Sequence, residues 1–490
     1  MSSLDVLIIK PGNQKNIYAD LSAFNLTAIE PPLWACLLAG FLRSKGYSVD
    51  ILDAEAENLS HEEAAFRIKD SAPLLAIMSV SGSNPSASTM NMTGAENIFS
   101  CLKKLSPEIK TTYHGLHPSA LPEQTLKSKA CADFVCQGEG FYTIPDLIDA
   151  IKKGNSNYNI PGLWYQKKGK IQSGSRPPLL KDLDELGVPA WDLLPIKKYK
   201  AHNWHCFGNI NEREPYGVLF TSLGCPFNCS FCCINAIFGS TGIRFRSPEI
   251  VLNDIDFLVN EYHIKNIKII DELFAVNEKR VIDICDRIID RKYDLNMWAY
   301  ARVNTVTPTM LKKMKQAGIN WVAYGFESAG KSVLKGVNKE YDPSTVMDIV
   351  QMTYDNGLHI GANFIFGLPD DDFNTMQQTL DLAVAVNAEW ANFNTAMAYP
   401  GSKLHEDALL KKIPLPESWQ AYSQYSYDSL CLPTNFLSAG EVLSFRDYAF
   451  HTYFENPRYL NRIKNLFGMD TVNHIIEMAG HRLKRKHAAF

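Results

Sequence analysis

Short apolar runs alternate with amphipathic helical patterns along the chain, and this alternation restricts the fold more than any other feature. Between residues 1 and 153, strand-like runs bounded by turn residues are separated by helical patterns such as 32–45 and 95–105. The strand candidates are 5–9, 48–52, 74–80, 109–113 and 134–136. Because strands that alternate with helices form parallel sheets with right-handed crossovers, residues 1–153 are predicted to be a doubly wound, Rossmann-like or flavodoxin-like α/β domain.

A second strand–helix series occupies residues 215–402 and predicts a partial (βα)6 barrel of the TIM type. Its six strand candidates are 218–220, 267–270, 297–300, 321–324, 360–366 and 390–395. In such barrels the reactive side chains lie at the carboxyl ends of the strands. Residues 154–214, rich in Pro, Gly, Lys and Asn, are predicted to connect the two domains and to pack on both. Residues 403–490 are predicted to be a helical region, with helices that include 439–454 and 470–486.

Composition and charge exclude several classes of function. The 490 residues carry 49 basic and 53 acidic side chains, a formal net charge of −4, which gives no electrostatic footprint for nucleic acid. No apolar run approaches the roughly 18 residues of a membrane span, and residues 1–5 do not resemble a targeting signal. We therefore expect a cytoplasmic protein with no membrane span. The basic run 481–487 is interpreted as a solvated helix end, with contact to an anionic partner as the alternative.

Four of the eleven cysteines lie within nine residues. Cys225, Cys229 and Cys232 are separated by three and two residues, so their thiolates can converge on one soft metal centre. Three thiolates suit a cubane iron–sulfur cluster with one open iron, whereas a zinc knuckle needs a further Cys or His pair, and chance clustering is a third interpretation. The upstream His202, His205 and Cys206 lack knuckle-like pairing, so the spacing favours the iron–sulfur cluster.

The cysteine loop resembles the CxxxCxxC signature of the radical S-adenosylmethionine (SAM) superfamily, including the aromatic Phe231 before the third cysteine. The resemblance implies that Cys225, Cys229 and Cys232 hold a [4Fe-4S] cluster whose open iron binds SAM. It also implies one-electron cleavage of SAM to a 5′-deoxyadenosyl radical, with an electron donor such as flavodoxin or ferredoxin. Cys233 lies outside the signature and is expected to be structural.

Several strand ends of the second series resemble SAM-contacting segments of the same superfamily. Residues 269–274 carry two carboxylates, for which a helix N-cap is the alternative role. Residues 324–328 resemble the GxES segment, 361–369 end in GLP with glycines suited to close backbone approach, and 399–402 resemble the PGT turn. The resemblance gives as SAM-site candidates Asp271, Glu272, Arg302, Glu327, Ser328 and Gly367.

The first domain resembles the cobalamin-binding subfamily of these enzymes, on segments 30–33, 46–53, 115–123, 137–140 and 182–195. The DxHxxG motif of cobalamin domains is absent, because residues 10–14 read Lys-Pro-Gly-Asn-Gln. We therefore expect cobalamin without a histidine lower ligand, and we interpret His117 as a hydrogen-bonding or turn residue. The alternatives for the glycines are ordinary turns, or a nucleotide or flavin site. The predicted cobalamin contacts are Ser79, Ser81, Gly82, Gly115, His117, Gly138 and Glu139.

Together these resemblances imply a cobalamin-dependent radical SAM enzyme that methylates an unactivated carbon of a small molecule or lipid through methylcobalamin. An oxidative cyclase or ring-rearranging enzyme of the anaerobic magnesium-protoporphyrin cyclase type uses the same scaffold and is the alternative. A non-catalytic corrinoid-binding sensor is the third hypothesis. The helical region 403–490 is expected to cap the barrel and select the substrate, with its aromatic residues forming the helical core rather than a pocket.

Overall fold

The computed structural model describes residues 4–12, 17–18, 27–82, 87–128 and 132–489. Its first sheet has seven strands in the order β2-β1-β3-β4-β5-β6-β7. The strands are β1 (Val6–Lys10), β2 (Val49–Asp53), β3 (Leu75–Val80), β4 (Lys110–Gly115), β5 (Phe134–Cys136), β6 (Leu163–Lys167) and β7 (Lys170–Ser173). The first five strands pair in parallel, which confirms the doubly wound, flavodoxin-like order 2-1-3-4-5.

Helices connect the parallel strands of this sheet and bury apolar faces against it. They are α1 (Leu33–Ser44), α2 (His61–Ser71), α3 (Ala87–Leu105), α4 (Leu116–Ala120), α5 (Pro122–Leu126) and α6 (Thr143–Lys152). Helix α2 begins at a capping box in which Ser60 accepts from the Glu63 amide and the Glu63 carboxylate accepts from the Ser60 amide. Because β1 and β3 are buried along their whole length, their sequences are continuous apolar runs rather than alternating ones.

The hairpin β6–β7 lies in the segment that the sequence analysis assigned to a connection, and it extends the first sheet beyond residue 153 by antiparallel pairing. Its turn residues Lys168 and Gly169 both have positive φ (48° and 75°), as a two-residue hairpin turn requires. The hairpin has a weak sequence signal because β7 is an edge strand with no buried residue.

The second sheet contains six parallel strands in the order β15-β14-β13-β12-β11-β8, which confirms the partial barrel. A small antiparallel pair, β9–β10, follows its first strand. The strands are β8 (Tyr216–Leu219), β9 (Ser222–Leu223), β10 (Arg244–Phe245), β11 (Asn266–Ile269), β12 (Asn296–Ala301), β13 (Ile319–Glu327), β14 (His359–Phe366) and β15 (Trp390–Thr395). The intervening helices are α7 (Asn235–Phe238), α8 (Pro248–Tyr262), α9 (Glu278–Arg291), α10 (Pro308–Gln316), α11 (Lys331–Gly336), α12 (Val346–Asp355) and α13 (Phe373–Val386).

Residues 174–214 contain short 3₁₀ turns and contact both sheets. On the side of the first domain, the amide of Ala190 donates to the Cys36 carbonyl of α1 at 3.1 Å. On the side of the barrel, the ring of Trp204 packs against Trp298 of β12 at 5.0 Å, and a ring nitrogen of His205 lies 3.0 Å from the Asn296 carbonyl. The segment therefore bridges the two sheets along the chain.

The last residues form α14 (Lys403–Leu410), α15 (Ala439–Phe454), α16 (Pro457–Phe467) and α17 (Met469–Gly480). The helix predicted over 470–486 is wrong at its end, because α17 stops at Gly480. The basic run beyond it is docked as a non-helical chain, with the Lys486 amide donating to the Tyr427 carbonyl at 2.9 Å. Aromatic residues of this region divide between two roles: Tyr453 and Phe454 are buried in the core, whereas Tyr425 and Phe450 line a cavity.

In the part of the chain that the structure describes, no helix is both long and apolar enough to cross a membrane.

We predict that Gly115→Ala destabilises the chain by about 2–4 kcal/mol, through backbone strain and a steric clash. Gly115 has φ +126°, and a Cβ at this position would lie 2.3 Å from the Val80 carbonyl oxygen of the paired strand β3. Urea unfolding of the cofactor-free chain, followed by circular dichroism, measures the change. The control is Gly480→Ala, where a Cβ has no neighbour within 4 Å; it should change stability by at most about 0.5 kcal/mol. Equal effects of the two substitutions would contradict the prediction.

Candidate active site

The cysteine loop begins directly after β9, at the carboxyl end of the first barrel strand. Gly224 opens it with φ +93°, and a Cβ there would lie 2.4 Å from the Gly242 carbonyl oxygen, so only glycine fits. The Gly242 amide donates to the Cys225 carbonyl at 3.0 Å, and the Cys232 amide to the Cys229 carbonyl at 3.0 Å. The backbone therefore folds the loop tightly and brings its three signature cysteines together.

The three thiols influence one another electrostatically. Burial, together with the nearby Cys229 and Cys225, raises the pKa of the Cys232 thiol to about 12; burial also raises the pKa of Cys225. All three thiols are partly exposed, and their thiolate forms would repel one another. The three can therefore ionise together only beside a cationic centre, which fits an iron–sulfur cluster. Cys233, by contrast, is 2 % exposed and packs in the main apolar core.

Within the described residues, no three His, Cys, Asp or Glu side chains are placed as ligands of one single ion. The assignment of the cluster to Cys225, Cys229 and Cys232 therefore depends on their spacing, their shared loop and the domain match reported below.

The two strand-end carboxylates brace the cysteine loop. Asp271 is fully buried and accepts hydrogen bonds from the Thr221 amide at 2.6 Å, the Thr221 hydroxyl at 2.5 Å and the Ser222 hydroxyl at 2.6 Å. Glu272 accepts from the Gly224 amide at 3.0 Å, and burial raises its pKa to about 7. Neither caps a helix, since Asn277 caps α9. Their predicted contact with SAM stays a prediction.

Glu327 combines backbone strain with a buried charge. It has φ +60°, which is uncommon outside glycine and concentrates at functional sites, and it is 7 % exposed. Its carboxylate pairs with Lys339 at 2.8 Å, and Lys339 follows Asn338, whose carbonyl lies 3.8 Å from the Cys229 sulfur. Sequence reasoning missed Lys339, because nothing in its local pattern distinguishes it from a surface lysine.

The remaining SAM-site candidates differ in position. Arg302 lies against the cysteine loop, with its guanidinium 4.0 Å from the Phe227 ring centre and Nη1 3.7 Å from the Cys229 sulfur. Ser328 is buried away from the loop, where its hydroxyl accepts from the Gly330 amide at 3.1 Å. Gly367 has φ +79°, and its amide donates to the Asp371 carboxylate at 3.0 Å, which closes the turn after β14.

The predicted cobalamin contacts do not all reach one surface. Ser81 and Gly82 line the large cavity, and the hydroxyl of Ser79 lies 3.4 Å from that of Ser81. Gly115 and Gly138 both have positive φ, and a Cβ would meet the Val80 carbonyl oxygen at Gly115 and the Pro177 ring at Gly138, which explains them without a ligand. Glu139 is 3 % exposed; its carboxylate pairs with Arg244 of β10 and accepts a hydrogen bond from the Leu180 amide at 2.9 Å. Asn13 and Gln14, in the loop after β1, lie outside the described residues.

His117 is buried between the first domain and the C-terminal region. Its Nδ1 lies 3.2 Å from the Thr89 hydroxyl, and its ring packs edge-on against Trp419 at 4.5 Å. Burial lowers its pKa to about 3. The hydrogen-bonding role expected from the sequence fits this position.

A cavity of about 1100 Å³ joins the two sheets. Ser81 and Gly82 line it on the side of the first domain, and Cys232 and Glu327 on the side of the barrel. Its volume exceeds the roughly 300–1,000 Å³ typical of small-molecule sites, so it has room for large cofactors. One continuous space thus reaches both the cysteine loop and the strand ends where a corrinoid was predicted.

Sequence reasoning missed a buried charged cluster on the cavity wall. Glu30 lies 3.2 Å from Nζ of Lys268 on β11 and 3.2 Å from Nε2 of His202. Burial raises the pKa of Glu30, but the two basic neighbours more than offset it and hold the value at about 2. The partners are far apart in sequence, so only the motif around Glu30 was visible beforehand.

Comparison with known protein families agrees with this geometry. Residues 219–383 match the radical SAM superfamily, and residues 22–148 match the B12 binding domain. A Pyrococcus horikoshii protein named as an uncharacterized methyltransferase is 33 % identical, over 89 % of this chain and 90 % of its own length. The chain belongs to the cobalamin-dependent branch of the radical SAM superfamily, whose cofactors are a [4Fe-4S] cluster, SAM and cobalamin.

Other relatives and solved structures cover most of the chain as well. The anaerobic magnesium-protoporphyrin IX monomethyl ester cyclase of Rubrivivax gelatinosus is 26 % identical over 88 % of this chain and 75 % of its own. The cobalamin-dependent radical enzyme OxsB, solved with aqua-cobalamin and SAM, has a TM-score of 0.71 at 16 % identity, over 97 % of this chain and 72 % of its own. The methyltransferase TsrM of Kitasatospora setae has a TM-score of 0.67 at 16 % identity, over 84 % and 75 %. At this identity the two structures show the shared fold.

We predict that Cys→Ala at position 225, 229 or 232 lowers iron from about four to below about one per chain after anaerobic reconstitution. Loss of any one thiolate leaves a cubane with too few protein ligands. The matched control is Cys233→Ala on the same loop, which should retain iron because its thiol packs in the core. Iron and sulfide analysis with the spectrum of the reduced cluster measures the outcome, and iron loss in the control alone would refute the assignment.

A second prediction concerns Asp371, which is 1 % exposed and closes the Gly367 turn. Burial raises its pKa from 3.8 to about 6. Between these values the folded state binds more protons than the unfolded state, so stability contributed here falls as pH rises, by up to about 3 kcal/mol. The unfolding free energy of wild type minus that of Asp371→Asn should fall from pH 4 to about pH 6 and then stay constant. The control is Asp381→Asn, at an exposed position on α13, which should show no such pH dependence. A wild-type stability advantage over Asp371→Asn that grows with rising pH would contradict the prediction.

Proposed function

We propose that this protein transfers a methyl group to an unactivated carbon of a small molecule or lipid. The observation that carries the proposal is the single cavity that touches both Ser81 of the B12-binding domain and Cys232 of the cysteine loop. Methyl transfer to a carbon radical needs the site of hydrogen removal and the methyl donor to face one substrate, and a shared enclosed space meets that need.

The groups that this chain binds supply the reactive chemistry: a reduced cluster with SAM supplies hydrogen abstraction from carbon, and cobalamin supplies the methyl group. We propose that Cys225, Cys229 and Cys232 hold the cluster. For SAM we propose the group around Glu327, Lys339 and Arg302, because their charges converge next to the cysteine loop.

The protein's own part is positioning and exclusion of water. Asp271 and Glu272 hold the backbone that carries the thiols, through hydrogen bonds to Thr221 and Gly224. Ser81 and Gly82 are proposed to contact the corrinoid, since they alone among the predicted contacts line the cavity. Aromatic walls such as Trp298 and Tyr300 exclude water from the reaction space, which protects a carbon radical from side reactions.

A second candidate is oxidative cyclisation, supported by the cyclase relative that aligns with 88 % of the chain. Both reactions use the same cofactors and the same cavity. They differ in the fate of SAM, because methyl transfer consumes SAM as a methyl donor as well as a radical source.

We also propose a cytoplasmic location and a flavodoxin- or ferredoxin-type electron donor. In support, all ten described cysteines are free thiols, as a reducing compartment maintains them.

The test is anaerobic reconstitution of the full chain with iron, sulfide and hydroxocobalamin, followed by reduction in the presence of trideuteriomethyl-SAM. We expect about four irons and one retained corrinoid per chain, with both 5′-deoxyadenosine and S-adenosylhomocysteine as products. S-Adenosylhomocysteine should disappear when hydroxocobalamin is omitted. Formation of 5′-deoxyadenosine alone by the corrinoid-loaded enzyme would overturn methyl transfer and leave cyclisation, and failure to retain corrinoid would overturn both.

A further inference from the structure

The basic residues after α17 form part of the cavity wall rather than a solvated helix end. Arg485 is docked with its side chain 3 % exposed, and its Nε and Nη2 each lie 2.8 Å from a carboxylate oxygen of Asp447. Its Nη1 donates to the carbonyls of Gln424 and Ser426. The Ala489 amide also donates to the Ser444 hydroxyl on α15 at 3.1 Å. The tail therefore has a fixed place against α15.

Arg446 lies on α15 and also lines the cavity, and it shares the carboxylate of Asp447 with Arg485. Its side chain is 4 % exposed, and its Nη1 lies 2.9 Å from Asp447 Oδ1. Its Nε donates to the Phe393 carbonyl of β15 at 2.8 Å. Hydrogen bonds within the described residues engage Nε and Nη1, so Nη2 is left for the cavity that Arg446 lines.

The charges on the cavity wall do not balance at this end. Four carboxylates of the described residues line the cavity, and each has a Lys or Arg partner within 3.4 Å. The pairs are Glu30 with Lys268, Glu55 with Lys10, Glu327 with Lys339 and Asp447 with Arg485. Arg482, also on the wall, pairs with Glu455 and is largely exposed. Arg446 and Arg485 thus share the single carboxylate of Asp447, so this end of the described cavity wall carries one guanidinium more than it has carboxylates.

A surplus buried cation is expensive unless an anion joins it. Aromatic rings stabilise Arg446 in part, with its guanidinium 5.7 Å from the Tyr425 ring centre and 5.4 Å from that of Phe450. These rings also make the adjoining wall apolar. The site therefore combines one positive charge in excess of its carboxylates with an aromatic surface, which suits an apolar molecule that carries one oxyanion.

We infer that Arg446, supported by the Asp447–Arg485 pair, is a substrate-specificity residue that binds a carboxylate or phosphate group on an otherwise apolar substrate. This inference rests on the proposed function, since it assigns the C-terminal end of the cavity to the substrate. Arg485 acts through Asp447: by neutralising that carboxylate it leaves the charge of Arg446 for the ligand. The same oxyanion chemistry occurs in SAM and in the cobalamin phosphate, so the test separates these sources from the substrate.

The experiment measures binding of decanoate, decyl phosphate and uncharged decan-1-ol to the anaerobically reconstituted full-length protein by equilibrium dialysis. We expect at least one oxyanion to bind wild type about tenfold or more tightly than the alcohol, as a charge-assisted hydrogen bond to a buried guanidinium predicts. Arg446→Gln should remove this preference, Arg446→Lys should keep most of it, and Arg458→Gln, an exposed arginine on α16, should leave it unchanged. Thermal unfolding and circular dichroism confirm that the variants are folded.

Two outcomes would overturn the inference. Wild type that binds the alcohol as tightly as both oxyanions has no anion subsite. Loss of retained corrinoid, or weaker SAM binding, in Arg446→Gln would assign the guanidinium to a cofactor instead of the substrate. Failure of the proposed function is separately visible, because it appears as absent S-adenosylhomocysteine in wild type, whereas the oxyanion preference is read from binding alone.

Discussion

Two largely buried ion pairs join the first domain to the barrel and help to hold together the two sheets that enclose the cavity. Glu139, after β5, contacts Arg244 of β10, and Glu30, before α1, contacts Lys268 inside the barrel. Glu139, Lys268 and Glu30 are at most 10 % exposed and Arg244 is 20 % exposed, so a displaced partner would leave an uncompensated, largely buried ion at a cost of several kcal/mol. The two sheets are thereby confined to one relative position. In that position their strand ends face each other across a common space.

Several carboxylates near the cavity and the cysteine loop have structural roles. Glu139 connects domains, Asp271 holds the connection between β8 and β9, and Glu272 fixes the start of the cysteine loop. Residue type and position at a strand end do not by themselves distinguish such a brace from a ligand contact, since both require a buried acceptor. The distinction depends on which backbone amides lie within hydrogen-bond distance.

The C-terminal region completes the enclosure from the opposite side. Arg446 on α15 and Arg485 of the tail are 39 positions apart in the printed numbering yet share Asp447. Through these contacts a segment that the sequence pattern predicted to be a solvated helix end becomes part of the cavity wall.

The sequence by itself determined the elements and the cofactor class. Strand and helix periods are local, so the two βα series could be predicted, and the cysteine spacing over eight residues identified the cluster loop. The β6–β7 hairpin escaped because an edge strand has no buried face to impose alternation. Only the tertiary structure decided that Lys339 pairs with Glu327, that Lys268 pairs with Glu30 across 238 positions, and that the tail closes the cavity. These contacts depend on how the sheets and the last helices pack, and packing brings together side chains that carry no mutual signal along the chain.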